Sequence, residues 1–282
     1  MQQFERTEVA GVSLPRILIG TNWLLGWSHR STSHDKMIQA KFDTREKFFP
    51  VFEAYSEYGI DAIMAPASKN ELLMDSVNYF RDKTGKNMII IDTPILNVDD
   101  SAAARAEAEA DIKNSAKIGA TFCLPHHSSV EQLVNKNKET IERLGDYTSM
   151  IRDAGLIPGL SAHMPELILF SDRNNYDVET YIQIYNCMGF LMQIEVETIA
   201  SIINNAKKPV MCIKSMAAGR ITPYVGLNFV WNTLRKKDMV TLGAFSADEV
   251  HEDVEISLAA LERRFPDIEK RASANNDQVL LS

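Results

Sequence analysis

The feature that most constrains the fold is a series of eight short apolar runs, each followed by a polar loop and a helix-like stretch. The clearest two units lie within Lys208–Val250, where Val210–Ile213 and Met239–Leu242 are the apolar runs. Apolar strands that are joined through helices run parallel, because only a long crossover connection can bring the chain back to the same edge. Eight such units in succession predict an α/β fold, a closed (β/α)8 or TIM barrel.

The predicted elements alternate at the spacing of about one strand-helix unit. The predicted strands are, in chain order, Arg16–Trp23, Ile60–Pro66, Asn87–Pro94, Ala120–Pro125, Leu156–Ala162, Asp177–Asn186, Pro209–Lys214 and Met239–Gly243. Helices are predicted from Thr44, over Asn70–Thr84, Val98–Ile118, Val130–Ala154, from Pro165, over Ile194–Ala206, around Trp231 and over Ala247–Phe265. The stretch Leu24–Asp43 is interpreted as a long loop, a kind of segment that is often functional.

Length and charge limit the classes of protein that fit. The chain has 282 residues, an ordinary length for one TIM barrel. We therefore expect a single domain over residues 1–282, with an N-terminal segment at about 1–15 and a polar C-terminal tail at 266–282. The net charge is −8 and no basic block occurs, which argues against nucleic acid or a membrane surface as partner. A small-molecule substrate is expected, and a homo-oligomer stays open.

The cysteines and the apolar runs indicate a cytoplasmic protein. Cys123, Cys187 and Cys212 are far apart, so neither a disulfide framework nor a zinc motif is predicted. The N-terminal sequence lacks the apolar core of a signal peptide. The longest apolar runs are shorter than the ~18 residues that suggest a membrane span.

Chemically active residues are concentrated after the predicted strands, where TIM barrels build their active sites. Histidine is the usual acid or base at neutral pH, and a lysine at a barrel mouth can form a Schiff base or bind an anion. The predicted catalytic residues are His126, His127, Asp92 and Lys214, and the predicted substrate-binding residues are Asn22, Trp23, His163, Tyr185, Asn186 and Arg220. His126, His163 and Asp92 are also a minority hypothesis for a divalent metal site, without support from an HxH or HExxH motif.

Four segments in the second half resemble the aldo/keto reductase superfamily of (β/α)8 barrels. Gly155–His163 is similar to its strand-five segment, and Asp177–Asn186 is similar to its strand-six segment. Val210–Arg220 is similar to strand seven with its Gly-Arg turn, and Met239–Val254 to strand eight with the helix that follows. The resemblance implies the barrel fold and a nicotinamide cofactor, and it implies that Lys214 contacts the phosphate of that cofactor.

The first half departs from the family's catalytic pattern. The resemblance implies an Asp and a Tyr after strand two and a Lys at the end of strand three. This chain has Ala65 and Pro66 at the end of strand two, no Tyr in 67–77, and Asp92-Thr93-Pro94 at the end of strand three. Ala162 occupies the position of the Asn that holds the nicotinamide amide. Only the strand-four His is matched, by His126 or His127.

Three functions therefore stay open. The first is an enzyme, for which no class is determined, with acid/base or lyase-type chemistry on a small polar, carbonyl or sugar-like substrate; this is favoured over the reductase. The second is a NAD(P)H-dependent aldo/keto reductase whose proton donor has been rearranged, with His126 as a candidate donor. The third is a non-catalytic ligand-binding barrel. NADP and a divalent metal both stay open as cofactors, and neither is favoured.

Overall fold

The computed structural model describes residues 1–268, and its centre is a barrel of parallel strands. The strands, numbered one to eight in chain order, are Ile17–Gly20, Ala62–Ala65, Ile89–Asp92, Phe122–Cys123, the two-part strand Ile157–Pro158 and Leu160–Ser161, Tyr181–Ile184, Val210–Ile213 and Met239–Leu242. Each strand pairs in parallel with its sequence neighbours, and strand eight pairs with strand one. The (β/α)8 barrel predicted from the sequence is confirmed.

Strand five is divided at Gly159, and the division closes the barrel. Ile157–Pro158 pairs with strand four, whereas Leu160–Ser161 pairs with strand six. A Cβ atom at Gly159 would lie 2.7 Å from Leu124 Cγ and 2.8 Å from the Thr180 carbonyl oxygen. Only glycine allows this close approach, so the kink is built into the sequence.

Both faces of the strands are buried, as in other parallel sheets covered by helices. One set of side chains fills the barrel interior, among them Leu18, Met64, Phe122 and Met211. The alternate set packs outward against the helices in a second, larger core. A strand with two apolar faces gives no period-2 pattern, which is why the sequence shows continuous apolar runs here.

The eight main helices, one after each strand, are Arg45–Glu57, Glu71–Thr84, Ala102–Lys117, Leu144–Asp153, Glu166–Asn174, Val196–Asn205, Pro223–Thr233 and Ala247–Glu262. Side-chain caps begin several of them: Asn70 accepts from the Leu73 N–H and Ser101 from the Ala104 N–H. Short helices lie in the loops at Asn22–Leu25, Thr32–Lys41 and His127–Val130, with 3-10 turns at Ala67–Lys69, Glu131–Leu133 and Ala217–Gly219.

The N-terminal segment forms a hairpin that closes the amino-terminal end of the barrel. Arg6–Val9 pairs antiparallel with Val12–Pro15. Val9 and Leu14 are buried with the interior side chains of the barrel. The open end is therefore the opposite one, where the strands end and the predicted site residues follow.

Two predicted segments differ in the structure. The predicted long loop Leu24–Asp43 contains the last two residues of the helix Asn22–Leu25 and all of the helix Thr32–Lys41. The second helix forms because the polar stretch has an N-cap at Ser31 and helix-forming residues after it. The predicted helix Val130–Ala154 is interrupted by the hairpin Val134–Asn135 with Thr140–Ile141. Most of the predicted polar tail lies outside the described residues.

None of the helices in residues 1–268 combines the length and the apolar composition that crossing a membrane requires.

Candidate active site

A cavity of about 620 Å³ opens at the carboxyl ends of the strands, a volume typical of small-molecule sites. Its wall brings together six of the predicted site residues, from strands that are far apart in the sequence: Asn22, Trp23, His126, His127, His163 and Lys214. Much of the remaining wall is apolar, including Trp27, Met64 and Ile213. The cavity is thus an apolar cup with a few polar groups.

Lys214, on the cavity wall, differs from an ordinary surface lysine in its backbone conformation, its lack of a partner and its pKa. It follows strand seven and has φ of 60°, a left-handed conformation that is strained for a residue other than glycine. Among residues 1–268 its ammonium has no hydrogen-bond or ion-pair partner. Burial lowers the pKa of Lys214 to about 8. The unpaired ammonium, on a residue with a strained backbone, points to a role in contacting a ligand.

Three histidines form a stack beside the lysine. The His127 ring lies between His126, at 4.1 Å between ring centroids, and His163, at 3.7 Å and nearly parallel. Burial, with the positive charges of neighbouring groups, lowers the pKa of His126 to about 4 and that of His163 to about 3. These two rings are therefore neutral at physiological pH, and they act as hydrogen-bonding groups and not as cations.

The tautomer of His126 follows from its hydrogen bonds. Its Nδ1 accepts the backbone N–H of Ser128 at 3.3 Å and lies 2.8 Å from the Ser128 hydroxyl. Because a neutral imidazole carries one proton, an accepting Nδ1 requires the proton to lie on Nε2. His126 therefore offers an Nε2–H donor.

Glu131 organises the histidine stack, and it was not among the residues predicted from the sequence. One carboxylate oxygen accepts the backbone N–H groups of His163 and Met164, at 2.7 and 2.8 Å. The other lies 3.7 Å from His127 Nδ1. Burial acts to raise the pKa of Glu131, but these donors outweigh it, and the pKa lies below its usual value. The i, i+4 spacing of His127 and Glu131 is a signal that could have found it.

No carboxylate lines the cavity in the described part of the chain, although the protein is acidic overall. The nearby acids are bound to protein donors instead. Asp35 accepts the N–H and hydroxyl of Ser28, and Asp111 pairs with Lys69. The cavity therefore presents a cation and neutral donors without a counter-charge.

Asp92 is a predicted catalytic residue that the structure places elsewhere. It is fully buried, and its carboxylate accepts the Ser115 hydroxyl at 2.6 Å and the Ser68 N–H at 3.2 Å. It is absent from the cavity wall. The last residue of strand three faces the surrounding helices here, so the prediction that Asp92 acts as a base at the mouth is corrected.

Three predicted substrate-binding residues also lie outside the cavity wall. Tyr185 is buried under the helices, where its hydroxyl donates to Thr233 Oγ. Asn186 is buried and bonds the turn that follows strand six, through the backbone of Met188 and Phe190. Arg220 is on the rim, where it donates to the His29 carbonyl oxygen.

The metal hypothesis does not fit the arrangement. Within residues 1–268 no group of three or more His, Cys, Asp or Glu side chains is placed to hold a metal ion. The hypothesis combined His126, His163 and Asp92, but the Asp92 carboxylate is already bound to Ser115 and Ser68.

Gly219 lies at the mouth of the cavity beside Trp23 and Arg30. Its φ of +76° is a conformation that favours glycine, and a Cβ atom there would lie 3.5 Å from the Trp23 ring and 3.6 Å from Arg30 Nη1, both ordinary contacts. Within the described residues, neither Arg30 nor Arg220 pairs with a carboxylate, so both can contact phosphates. Asp248 and Glu249, in the first turn of the helix after strand eight, disfavour phosphate at that helix.

Comparison with known proteins identifies the fold. No protein-family model matches the chain, and no curated protein matches it. Among solved structures, a Pseudomonas aeruginosa protein assigned to the aldo-keto reductases is similar, with 14% identity, 92% of this chain and 97% of that chain covered, and a TM-score of 0.64. An aldo-keto reductase from Klebsiella pneumoniae in complex with NADPH has 15% identity, 96% and 98% coverage, and a TM-score of 0.60.

A further structure from Klebsiella pneumoniae, an aldo/keto reductase in complex with NADP and acetate, has 14% identity, 97% and 99% coverage, and a TM-score of 0.57. At such identities the similarity concerns the path of the chain. It extends over nearly all of each protein. The chain therefore has an aldo/keto-reductase-like (β/α)8 barrel fold.

Proposed function

We propose that the chain is an oxidoreductase that reduces the carbonyl group of a small molecule in the mouth cavity, with NADPH as the hydride source. The observation that carries the proposal is the unpaired ammonium of Lys214, whose pKa of about 8 keeps it protonated at neutral pH. Aldo/keto reductases are expected to use a tyrosine as proton donor, and the cavity wall contains none among the described residues. Lys214 is a donor of suitable acidity for the same step.

The residues have distinct roles in this proposal. NADPH, when bound, would supply the hydride that the carbonyl carbon accepts. The Nε2–H of His126 donates a hydrogen bond to the carbonyl oxygen and polarises it, as a neutral imidazole can. Lys214 gives its proton to that oxygen, so that the alcohol leaves uncharged. Arg30 and Arg220 hold the phosphates at the rim, and apolar residues such as Trp27 exclude water.

Two sequence-based expectations change in this account. The pKa of about 4 leaves His126 neutral, so it is unsuited to be the rearranged acid and instead serves as a hydrogen-bond donor. The fold similarity to reductases, one in complex with NADPH, supports reduction over the lyase-type chemistry that the sequence favoured.

Cofactor binding and consumption test the proposal. We expect NADPH fluorescence to change on binding, with a Kd in the micromolar range, and NADPH to be consumed with carbonyl compounds. The double variant Arg30→Ala, Arg220→Ala should weaken binding about 10-fold or more, because charged hydrogen bonds to phosphate are lost. The matched control is Lys113→Met, because Lys113 is exposed, pairs with Glu109 and is not part of the cavity wall. Absence of binding at millimolar NADPH would exclude the reductase.

A second function, a Schiff-base lyase, is favoured by one observation. With a pKa of about 8, roughly a tenth of Lys214 is the neutral, nucleophilic amine at pH 7. The amine would add to a substrate carbonyl and release water, and the imine would then accept the electrons of a broken carbon–carbon bond. Borohydride treatment with a carbonyl substrate, followed by mass spectrometry, should then attach the substrate to Lys214. Unmodified Lys214 in the presence of turnover would exclude this function.

A further inference from the structure

Two adjacent residues of the inner cavity wall, Lys214 and Ser215, each carry a polar group that lacks a partner among residues 1–268. The ammonium of Lys214 has none among residues 1–268, and the buried hydroxyl of Ser215, a residue that also lines the cavity, lacks a hydrogen bond. Buried polar groups such as the Ser215 hydroxyl are nearly always hydrogen-bonded in proteins. Two neighbouring residues of one cavity wall with unpartnered polar groups point to a ligand that supplies the acceptor atoms.

The charge of the wall specifies the acceptor. Lys214 carries a positive charge that no carboxylate of the cavity wall balances, and the second lysine of the wall, Lys69, is already paired with Asp111. The two neighbouring rings, His126 and His163, are neutral. One ammonium therefore balances one negative charge. A carboxylate, with a single charge, fits this balance better than a phosphate monoester, which carries about −1.5 to −2.

We propose that the substrate is a 2-oxo acid, whose carboxylate is bound by Lys214 and Ser215. The role of the keto group in this inference rests on the proposed reduction. The carboxylate site does not, because it is argued only from the unpartnered groups of Lys214 and Ser215. In a 2-oxo acid, one carboxylate oxygen and the keto oxygen lie on the same edge of the molecule. A lysine ammonium has three donors, so it can contact both oxygens at once and remain close enough to protonate the keto oxygen.

The remaining wall fits the rest of such a molecule. Within residues 1–268 the Nε2–H of His126 has no hydrogen-bond partner, so it can donate to the keto oxygen. The side chain of the acid would lie against apolar residues, among them Trp27, Ile95 and Met216. We therefore expect 2-oxo acids with aliphatic or aromatic side chains to be preferred over those with a second carboxylate.

A matched pair of unreactive compounds tests the site directly. Oxamate has the carboxylate and the neighbouring carbonyl of a 2-oxo acid, and oxamide is the neutral molecule of the same size. In calorimetric titrations with and without NADPH, we expect oxamate to bind at least 10-fold more tightly than oxamide. Lys214→Met should weaken oxamate about 10- to 100-fold and oxamide several-fold at most, because only oxamate loses a hydrogen bond between two charged groups. Ser215→Ala should weaken oxamate several-fold, and Lys113→Met should have no effect.

Three results would overturn the inference. They are equal affinity for oxamate and oxamide, unchanged oxamate affinity in folded Lys214→Met and Ser215→Ala, and no oxamate binding at concentrations up to about 50 mM. Circular dichroism of each variant verifies that it is folded. Oxamate binding without any NADPH binding would reject the reductase and keep the carboxylate site, so the two proposals fail separately.

Discussion

Strand three and strand seven end at the same face of the barrel, each near a charged residue, and the two charges have opposite surroundings. Asp92 is fully buried and bound by the Ser115 hydroxyl and the Ser68 N–H. Lys214 lines the cavity, and its ammonium is bound by no group of the described residues. The sequence suggested a similar role for both. The difference separates a charge that stabilises the fold from a charge that is available to a ligand.

The comparison predicts that the two charges can be removed with opposite consequences. Removing a satisfied buried charge leaves its donors without a partner, and this costs stability. Removing an unsatisfied, partly desolvated charge relieves a desolvation cost, so that stability is kept or increased. The effects on activity should be reversed: removing the charge of Lys214 should cost much activity, and removing the charge of Asp92 should cost little.

The largest effect is expected from Lys214→Met. The proton donor and the anion-binding group are lost together, so kcat/KM for a 2-oxo acid should fall about 10²- to 10⁴-fold. The free energy of unfolding, measured in urea, should stay the same or rise. If the variant keeps more than a third of the wild-type kcat/KM, the proposed role of Lys214 in the reaction is wrong.

The next effect concerns stability and comes from Asp92→Ala. The Ser68 N–H loses its acceptor and the Ser115 hydroxyl loses the shorter of its two hydrogen bonds, at about 1–3 kcal/mol each, so the free energy of unfolding should fall by about 2–6 kcal/mol. The kcat/KM of the folded enzyme should change less than about 3-fold, because Asp92 is outside the cavity wall. Unchanged stability with a large loss of activity would show that Asp92, and not Lys214, is the catalytic charge.

A smaller effect is expected from Glu131, which joins the histidine loop to the loop after strand five. Glu131→Gln keeps an acceptor for the N–H groups of His163 and Met164 but removes the charge that faces His127. We expect a roughly 10-fold lower kcat/KM and a changed imidazole ¹⁵N signal of His127. Glu131→Ala, which removes the acceptor too, should lose more activity and also stability. Identical behaviour of the two variants would reduce Glu131 to a structural anchor.

The barrel and the face of its active site could be predicted, because eight repeated units and the parallel direction of the strands decide both. The partners of individual side chains could not. Asp92 ends strand three and its partner Ser115 lies near the end of the following helix, 23 residues away, so no local pattern connects them. Tyr185 follows a strand that is buried on both faces, so alternation does not reveal that it points to the helices. Lys214 was found because it directly follows the strand.

The most direct test of the central claim is the pH dependence of kcat/KM for NADPH-dependent reduction of a 2-oxo acid. If the Lys214 ammonium supplies the proton, kcat/KM should be level from about pH 6.5 to its pKa of about 8 and fall about tenfold per pH unit above it. The decline should be missing in the residual activity of Lys214→Met. A kcat/KM that rises as pH increases through 8 would mean that the neutral amine is the active form, and it would contradict this account.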